Sequence, residues 1–410
     1  MRTPVIRLTD RSPRHPFAAA KRTRRLAPGP SPFHRRHAGI ARRPGILNDE
    51  PRVNGSGHPT RYNQDMVFVR GPFAALLALL LASAGPGADE GTGDPFMFFR
   101  PTVTLTSGDR ARLNQGRSIV RLLPAVDTQL GIFAATRVRT DAATFRAHFQ
   151  RIADLKRGPM VQQIRRFSDP PALSDLAELR MDPGDRSDLE SCRPGDCGLK
   201  LSAREMAQLV PLAKSRRASA QQALDAALRV MVFERVTHYL EGGQALLEPY
   251  HDQDEPIDLG VRFDRLVSTT PFLSARPDSV DSLRHLRHPE ADAGETFLYW
   301  SVEHFGRKPV VIVTHVNIIR GDGVSLDILV TSRQVFATHY TNASLGVTAL
   351  LQDQGGRNAY LAYVNRSDVD AFGGMLGWLR RALVERRIRS EADDVLDVIR
   401  QRVERPVPPG

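Results

Sequence analysis

Apolar and polar positions alternate after residue 117 in a way that predicts strands and one early helix. Residues 118–123 and 130–138 have the alternating or continuous apolar pattern of strands. A helix is predicted after Asp141, an N-cap residue, because Phe145 and Phe149 recur at helical spacing. A further strand is predicted within residues 160–167. These elements form a strand–helix–strand unit.

Residues 168–294 have helical periodicity instead. An amphipathic pattern over residues 202–241 predicts a helical arm with a break near Pro211, and further helical segments are expected within residues 257–288. The turn-rich start of this region also contains acidic residues at intervals of three: Asp182, Asp185 and Asp188. An EF-hand calcium loop needs alternate positions and a closing Glu, so we expect helix capping and solvated turns at these residues.

The last third of the chain has long β-branched or aromatic runs. Five strands are expected, within residues 297–304, 309–320, 326–340, 345–352 and 358–365. Short turns between long strands predict an antiparallel meander. An amphipathic helix follows from about Asp368, and a capping box at Ser390 is expected to start one more helix. The predicted fold class is α+β, an antiparallel meander closed by a C-terminal amphipathic helix, with a mainly helical insertion.

The patterns divide the chain into five parts. These are a basic segment (1–65), a signal peptide (66–84), an N-terminal lead-in (85–117), an α+β core (118–167 plus 295–404) and a mainly helical insertion (168–294). At 41% hydrophobic and 25% charged residues, the chain has enough apolar side chains for a sizeable core.

The net positive charge is concentrated at the N terminus. The formal net charge is +11, and residues 1–65 hold 13 Arg and one Lys against four acidic residues. The rest of the chain is nearly neutral and has no excess charge with which to bind nucleic acid. Residues 1–65 have no apolar periodicity, which predicts disorder. We expect translation to start at Met66; a genuine basic tail is the alternative.

Residues 66–84 have the organisation of a secretory signal peptide. Arg70 precedes a ten-residue apolar run from Phe73 to Ala82, and small residues then lead to a cleavage site after Ala84. A permanent transmembrane anchor is less favoured, because a helix needs about 20 apolar residues to cross a bilayer. A buried core helix is less favoured still. The expected location is the periplasm or the exterior, with no permanent membrane span after cleavage.

Two cysteines occur, Cys192 and Cys197, in the sequence CRPGDC. Pro194 and Gly195 favour a tight turn, which brings the flanking residues within disulfide range. A local disulfide that pins a hairpin is therefore predicted. The alternatives are a redox pair, which normally has the spacing CxxC, and two ligands of a zinc site, which would need further ligands. No metal and no cofactor are predicted.

The order of the elements resembles a known architecture. Strands, an early helix (GIFAATRVRTDAATFRAHFQRI), a long meander and a closing helix are similar to the helix-grip fold of START-like and polyketide-cyclase-like proteins. This resemblance implies a cavity for a lipid or small hydrophobic molecule between the concave sheet and the last helix. The segments CRPGDCGLKLS, FLYWS and YLAYVNRSD also resemble an uncharacterised group of exported bacterial proteins, which supplies no activity or site residues.

Polar residues of the meander and one glycine are the candidate ligand contacts: His315, Asn317, Arg333, His339, Tyr340 and Gly377. His315 and Asn317 interrupt an apolar strand face, and buried polar atoms need partners, so a His/Asn/Arg cluster would orient a polar head group. If the strands pair through the turn at 321–325, His315 lies opposite residues near 330. The alternative is that His315 is a satisfied interior histidine or faces solvent.

Gly373, Gly374 and Gly377 are predicted to lie on the closing helix, where each costs about 1 kcal/mol relative to Ala. Their presence suggests either a close approach of the sheet or a ligand, or a frayed first turn.

The function expected from these features is that of an exported soluble protein that binds a lipid or small hydrophobic ligand. The alternative is a cell-envelope protein-interaction or assembly factor that uses the helical insertion. A third possibility is a periplasmic hydrolase with Glu303, His304, His315 and His339 as acid–base groups, although HExxH and GxSxG motifs are absent from the sequence. No residue is assigned as catalytic, and the hypothesis that the protein is an enzyme is the less favoured one.

Overall fold

Eight strands form one antiparallel sheet. The computed structural model describes residues 93–286, 294–304, 306–353, 356–374 and 376–407. The strands are β1 (Ile119–Leu123), β2 (Gln129–Val138), β3 (Val161–Arg166), β4 (Gly294–Glu303), β5 (Val310–Arg320), β6 (Leu326–Ala337), β7 (Thr341–Gln352) and β8 (Ala359–Val369). Their order across the sheet is β1-β2-β8-β7-β6-β5-β4-β3, and each neighbouring pair is antiparallel. Strands β4 to β8 therefore form the predicted meander, and β1 and β3 are the two edges.

Most helices lie between β3 and β4. The described residues contain α1 (Ser107–Asn114), α2 (Ala142–Gln150), α3 (Ile152–Lys156), α4 (Pro183–Leu189), α5 (Ala203–Lys214), α6 (Ala220–Gly242), α7 (Leu259–Ser268), α8 (Pro277–His285) and α9 (Gly377–Val403). Helices α4 to α8 form the insertion, and α9 follows the last strand. The architecture is the predicted α+β class, with an antiparallel meander, a C-terminal helix and a helical insertion.

Local chemistry explains most helix ends. Asp141 caps α2 as predicted, because its carboxylate accepts a hydrogen bond from the backbone N–H of Thr144 at 2.7 Å. Two predicted breaks are wrong. Helix α5 continues through Pro211, and the arm is interrupted at residues 215–219 instead. Helix α9 also continues through Ser390, whose hydroxyl donates to the Arg387 carbonyl at 2.9 Å within the helix.

One face of the sheet is covered by the insertion, and we call it the insertion face. Trp300, Val313 and Phe336 pack with α5 and α6 in one core cluster, and all three side chains are fully buried. Helices α7 and α8 and the N-terminal lead-in cover the same face over β2 and β6 to β8. The Trp300 indole N–H also donates to the carbonyl of Asp175 at 2.9 Å, which ties the insertion to the sheet.

Helices α2, α3 and α9 lie on the other face, which we call the helix face. Phe145, Leu155 and Val403, one from each helix, share a core cluster with strand residues such as Val316 and Ile328. In the first half of α9, Val384 and Ile388 pack against β1 and β2 at the edge of the sheet. The three helices thus occupy one end and one side of the helix face.

The predicted disulfide between Cys192 and Cys197 is present, with the two Cα atoms 4.4 Å apart. Gly195 lies at the turn with φ of +89°, a conformation that favours glycine. The backbone N–H groups of Gly195 and Cys197 donate to the carbonyls of His251 and Asp252 at 2.8 and 3.1 Å. The disulfide loop is thereby fixed against a second hairpin of the insertion.

The basic segment 1–65 and the signal peptide 66–84, with its cleavage site at Ala84, lie outside the described residues. Among the described helices, none combines the length and the apolar composition that crossing a bilayer requires.

Candidate functional site

The candidate contacts His315, Asn317 and Arg333 lie on the insertion face, opposite to α9. His315 pairs directly with Arg333, whereas the turn at 321–325 predicted a partner near residue 330. The difference arises because Arg320 pairs with Ile328, so the connecting loop is longer than the expected turn. The three side chains are at most 1% exposed beneath the insertion.

Protein groups surround these three side chains. The two ring nitrogens of His315 lie 2.8 Å from the Tyr239 hydroxyl and 2.6 Å from the Thr296 hydroxyl. The Asn317 side-chain carbonyl accepts a hydrogen bond from Ser282 at 3.2 Å. This geometry is that of a satisfied interior histidine, the alternative interpretation of the sequence.

Arg333 is a buried cation with few acceptors. Its guanidinium donates to the Gln244 side chain at 2.8 Å and to the Leu283 carbonyl at 3.2 Å, and it stacks 4.1 Å from the centre of the Phe263 ring. Burial lowers the pKa of Arg333. The guanidinium therefore anchors α7 and α8 onto the sheet.

His339 lies in the turn between β6 and β7, next to Tyr340 and away from His315, Asn317 and Arg333. Its Nε2 is 2.9 Å from Oδ1 of Asp185, and both side chains are buried. The prediction of a solvated turn is wrong for Asp185, which also lies 3.7 Å from the Lys308 ammonium group. Asp182 does cap α4, with its carboxylate accepting from the Gly184 N–H at 2.8 Å. A pocket of about 20 Å³ next to Asp182 and Asp185 has room for a single water molecule.

Tyr340 and Gly377 lie at the same end of the sheet as His339, and both are in close contact with the backbone. The Tyr340 hydroxyl accepts from the Lys308 N–H at 3.0 Å, and its carbonyl accepts from the Asp370 N–H at 3.0 Å. Gly377 begins α9, and a Cβ there would lie 2.0 Å from the Phe372 carbonyl oxygen. The close approach is thus to the chain's own backbone. Gly373 and Gly374 precede the helix, contrary to the prediction that they lie on it.

The centre of the helix face is only partly covered by the described helices. Six side chains of the four innermost strands point to this face and are only half-buried: Ile312, Ser332, Ser344, Thr348, Tyr363 and Asn365. On the insertion face of the same strands, His315, Arg333 and Val347 are at most 1% exposed. The described helices therefore seal one face and leave the centre of the other partly exposed, and we call this partly exposed region the helix-face groove.

The floor of the helix-face groove is polar and uncharged. Asn365 donates to the Ser344 hydroxyl at 3.1 Å and accepts from the Ser367 hydroxyl at 2.8 Å. Ser332 and Thr348 continue the same row on β6 and β7, and Gly346 between them keeps the floor low. Hydroxyl and amide groups both donate and accept hydrogen bonds, so this floor suits a polar, neutral group.

The wall of the groove on the α9 side is apolar. Val384 and Ile388 of α9 are only partly buried against Leu122 and Ile132 of β1 and β2. Apolar surface therefore remains accessible next to the polar floor, and the two together favour an amphipathic molecule.

A charged pair lies at the end of the groove formed by α3. The Lys156 ammonium group donates to the Glu303 carboxylate at 2.8 Å and to the Tyr299 hydroxyl at 3.1 Å. Burial by itself would raise the pKa of Glu303, but Lys156 outweighs it and the pKa lies below the ordinary value. Burial would likewise lower the pKa of Lys156, but Glu303 and Tyr299 raise it. The two groups are therefore an ion pair near neutral pH.

Tyr363 reaches toward this pair from β8. Burial raises the pKa of Tyr363, and Lys156, Tyr299 and Glu303 are close enough to act on it electrostatically.

The polar floor was not predicted from the sequence, although the pattern of β7 and β8 indicates it. In β7, Ser344, Gly346 and Thr348 alternate with the apolar Leu345 and Val347. The same alternation places Tyr363, Asn365 and Ser367 together in β8. A polar row at a period of two on adjacent strands indicates one open face.

A second buried network joins the insertion to the start of α9. Lys200 is 2% exposed, and its ammonium group donates to the Asn342 carbonyl at 2.6 Å and pairs with Asp252 at 3.2 Å and with Asp370. Burial raises the pKa of Asp370, and Lys200 opposes that rise. Within the described ranges, no group of three or more His, Cys, Asp and Glu side chains is placed to hold a metal.

Fold and site together define an α+β protein with one sealed sheet face and one open, polar-floored face bordered by the C-terminal helix. Comparisons of the chain with protein-family models, curated proteins and solved structures find no match.

Proposed function

We propose that the protein binds an amphipathic small molecule, such as a lipid, in the helix-face groove. The observation that carries the proposal is the partly exposed centre of the sheet, with hydroxyl and amide groups on its floor. Partly buried apolar side chains of α9 stand beside that floor. The polar part of the ligand would contact the floor, and its apolar part would lie against α9.

The charges of the groove favour a ligand with no net charge. Lys156 is the cation at its end, and Glu303 already neutralises it. An anion would have to compete with a carboxylate 2.8 Å away, whereas a neutral or zwitterionic head group would not. The ligand class we propose is therefore a neutral or zwitterionic amphiphile.

We also propose that the protein acts outside the cytoplasm. Residues 66–84 have the signal-peptide pattern, and the Cys192–Cys197 disulfide supports an oxidising compartment, where such bonds persist. The architectural resemblance to START-like proteins supports a carrier of apolar molecules.

The proposal is tested by titration with a phosphatidylcholine that carries an environment-sensitive fluorophore on a short acyl chain. A saturable rise in fluorescence is expected. Thr348→Trp fills the floor and should weaken binding about tenfold or more. Val324→Trp is the matched control, because Val324 is 71% exposed in the turn before β6 and should leave the affinity unchanged.

Native mass spectrometry of protein purified from its source supplies a second measurement. Co-purifying lipid is expected. Absence of saturable lipid binding, or equal effects of the two tryptophan variants, would overturn the proposal. A stoichiometric protein partner in place of lipid would instead favour an interaction factor that uses the helical insertion.

A further inference from the structure

Helix α9 carries a second apolar stripe that faces away from the sheet. Leu376, Leu379 and Leu383 recur at helical spacing and are between 39% and 51% exposed. Trp378 is 70% exposed and lies beside this stripe, about 100° around the helix from Leu379. The inward stripe of the same helix, which includes Val384 and Ile388, already supplies its packing on the sheet. The outer stripe is therefore not needed to hold the helix in place.

Arginines surround the outer stripe. At 100° per residue, Arg386 and Arg387 lie on either side of the line through Leu379 and Leu383, and Arg387 also donates to the Glu391 carboxylate at 2.9 Å. The part of α9 up to Ser390 contains five arginines and one acid: Arg380, Arg381, Arg386, Arg387, Arg389 and Glu385. The part after it is acidic, with Glu391, Asp393, Asp394 and Asp397. The apolar stripe and the positive charge thus coincide at one end of the helix.

A neighbouring turn lies beside this end. Arg381 faces inward and donates to the carbonyl of Gln129 at 2.6 Å and to that of Asp127, in the turn between β1 and β2. Val126 of the same turn is 54% exposed. The turn therefore supplies a further exposed apolar side chain close to the start of α9.

We infer that the first half of α9 docks on an anionic lipid surface. Leucines and a tryptophan suit the boundary between head groups and acyl chains, and the net positive charge of this half of the helix attracts an anionic lipid surface. The outer stripe is a convex row on one helix. A convex row enters a fluid lipid surface, whereas a protein partner would need a matching groove. This inference stands on the exterior of α9 and does not depend on what the helix-face groove binds.

The test is co-sedimentation of the full chain with vesicles of phosphatidylcholine alone and of phosphatidylcholine with phosphatidylglycerol. Binding to the anionic vesicles only, weakened by salt, is expected. A blue shift of fluorescence should accompany it, because Trp378 is the exposed one of two tryptophans and Trp300 is buried. The double variant Arg386→Gln/Arg387→Gln should bind about thirtyfold more weakly, and Leu379→Asp/Leu383→Asp should abolish the blue shift.

Val398→Asp is the matched control, because Val398 is 45% exposed on the acidic half of the same helix. It should bind like the wild type, and circular dichroism should show that all variants are folded. Equal binding to both vesicle types, no binding, or no effect of the leucine changes would overturn the inference. Loss of self-association in Leu379→Asp/Leu383→Asp would overturn it too, in favour of a second copy of this chain. The fluorescent-lipid titration should be unchanged in these variants.

Discussion

At the scale of single residues, buried charges are held by partners from distant parts of the chain. Arg235 of α6 and Glu205 of α5 are at most 1% exposed and form two hydrogen bonds of 2.6 and 2.7 Å. The guanidinium also lies over the rings of Tyr250 and Phe336. A paired charge at this depth is tolerated only while both partners are present, because each alone would be buried without compensation.

Removing Arg235 should therefore be costly. Arg235→Ala is expected to lower the free energy of unfolding by about 3–5 kcal/mol, measured by urea denaturation. Arg216→Ala is the control, since Arg216 is 76% exposed in its pair with Glu190 and should cost about 1 kcal/mol or less. Equal losses in the two variants would contradict this account of the buried pair.

The Lys156–Glu303 pair gives a pH dependence. The pKa of Glu303 lies below its ordinary value of 4.5, so the stability it supplies is present above that value and is lost as the pH falls. The pKa of Lys156 lies above its ordinary value of 10.5, so its contribution is present below that value and is lost only at higher pH.

Glu303→Gln should remove the part of this stability that is lost as the pH falls. Between about pH 7 and about pH 4, the wild type should lose more free energy of unfolding than the variant does. Urea denaturation at both pH values measures the difference. Identical losses in the two proteins would show that the pair does not form.

At the scale of elements, the disulfide loop fixes one hairpin against another. The bond closes a loop with a sequence separation of five, and the loop docks on the backbone at His251 and Asp252. Asp252 in turn pairs with the buried Lys200. The local covalent bond therefore supports a non-local ion pair.

Replacing both cysteines should have a modest cost. Cys192→Ser/Cys197→Ser is expected to lower the free energy of unfolding by about 2 kcal/mol, because the closed loop is short. Denaturation of the oxidised wild type and the variant measures this value. A loss of about 5 kcal/mol or more would instead indicate that the bond holds the whole insertion in place.

The elements themselves were predictable from sequence, because strand and helix periodicity is a local property. The strand runs, the Asp141 cap and the closing helix all follow from it. The prediction at Pro211 was wrong because the buried residues of α5 on both sides of it pack in the core. The prediction at Ser390 was wrong because its hydroxyl donates to the Arg387 carbonyl within the helix instead of capping a new one. The groove was not predictable in the same way: alternation shows that β5 has two faces, but not which face the insertion covers. His315 and Arg333 were therefore placed on the wrong side of the sheet relative to α9.

At the scale of the whole molecule, the insertion is part of the core and not an appendage. All described residues belong to one compact unit. Side chains of β4, β5 and β6 are buried only because α5 and α6 cover them. Removing the insertion would expose Trp300, Val313 and Phe336, so the sheet depends on it for stability.

The insertion and the sheet should unfold together. The sequence has two tryptophans, so Trp378→Phe leaves Trp300, at the boundary between sheet and insertion, as the single fluorescent reporter. Its fluorescence and the far-ultraviolet circular dichroism should give the same thermal midpoint. Two separate midpoints would mean that the insertion folds as an independent unit.

The two edge strands of the sheet determine how readily the protein can associate with further copies of itself. Strand β3, one of the two edges, has only six residues, VQQIRR, and β1 at the other edge has five, IVRLL. A long, flat edge strand with unpaired amides would recruit further chains and seed fibrils, whereas a short edge strand offers few hydrogen-bonding groups to a second copy. The sheet can therefore stay open, with its groove accessible to a ligand, without promoting aggregation.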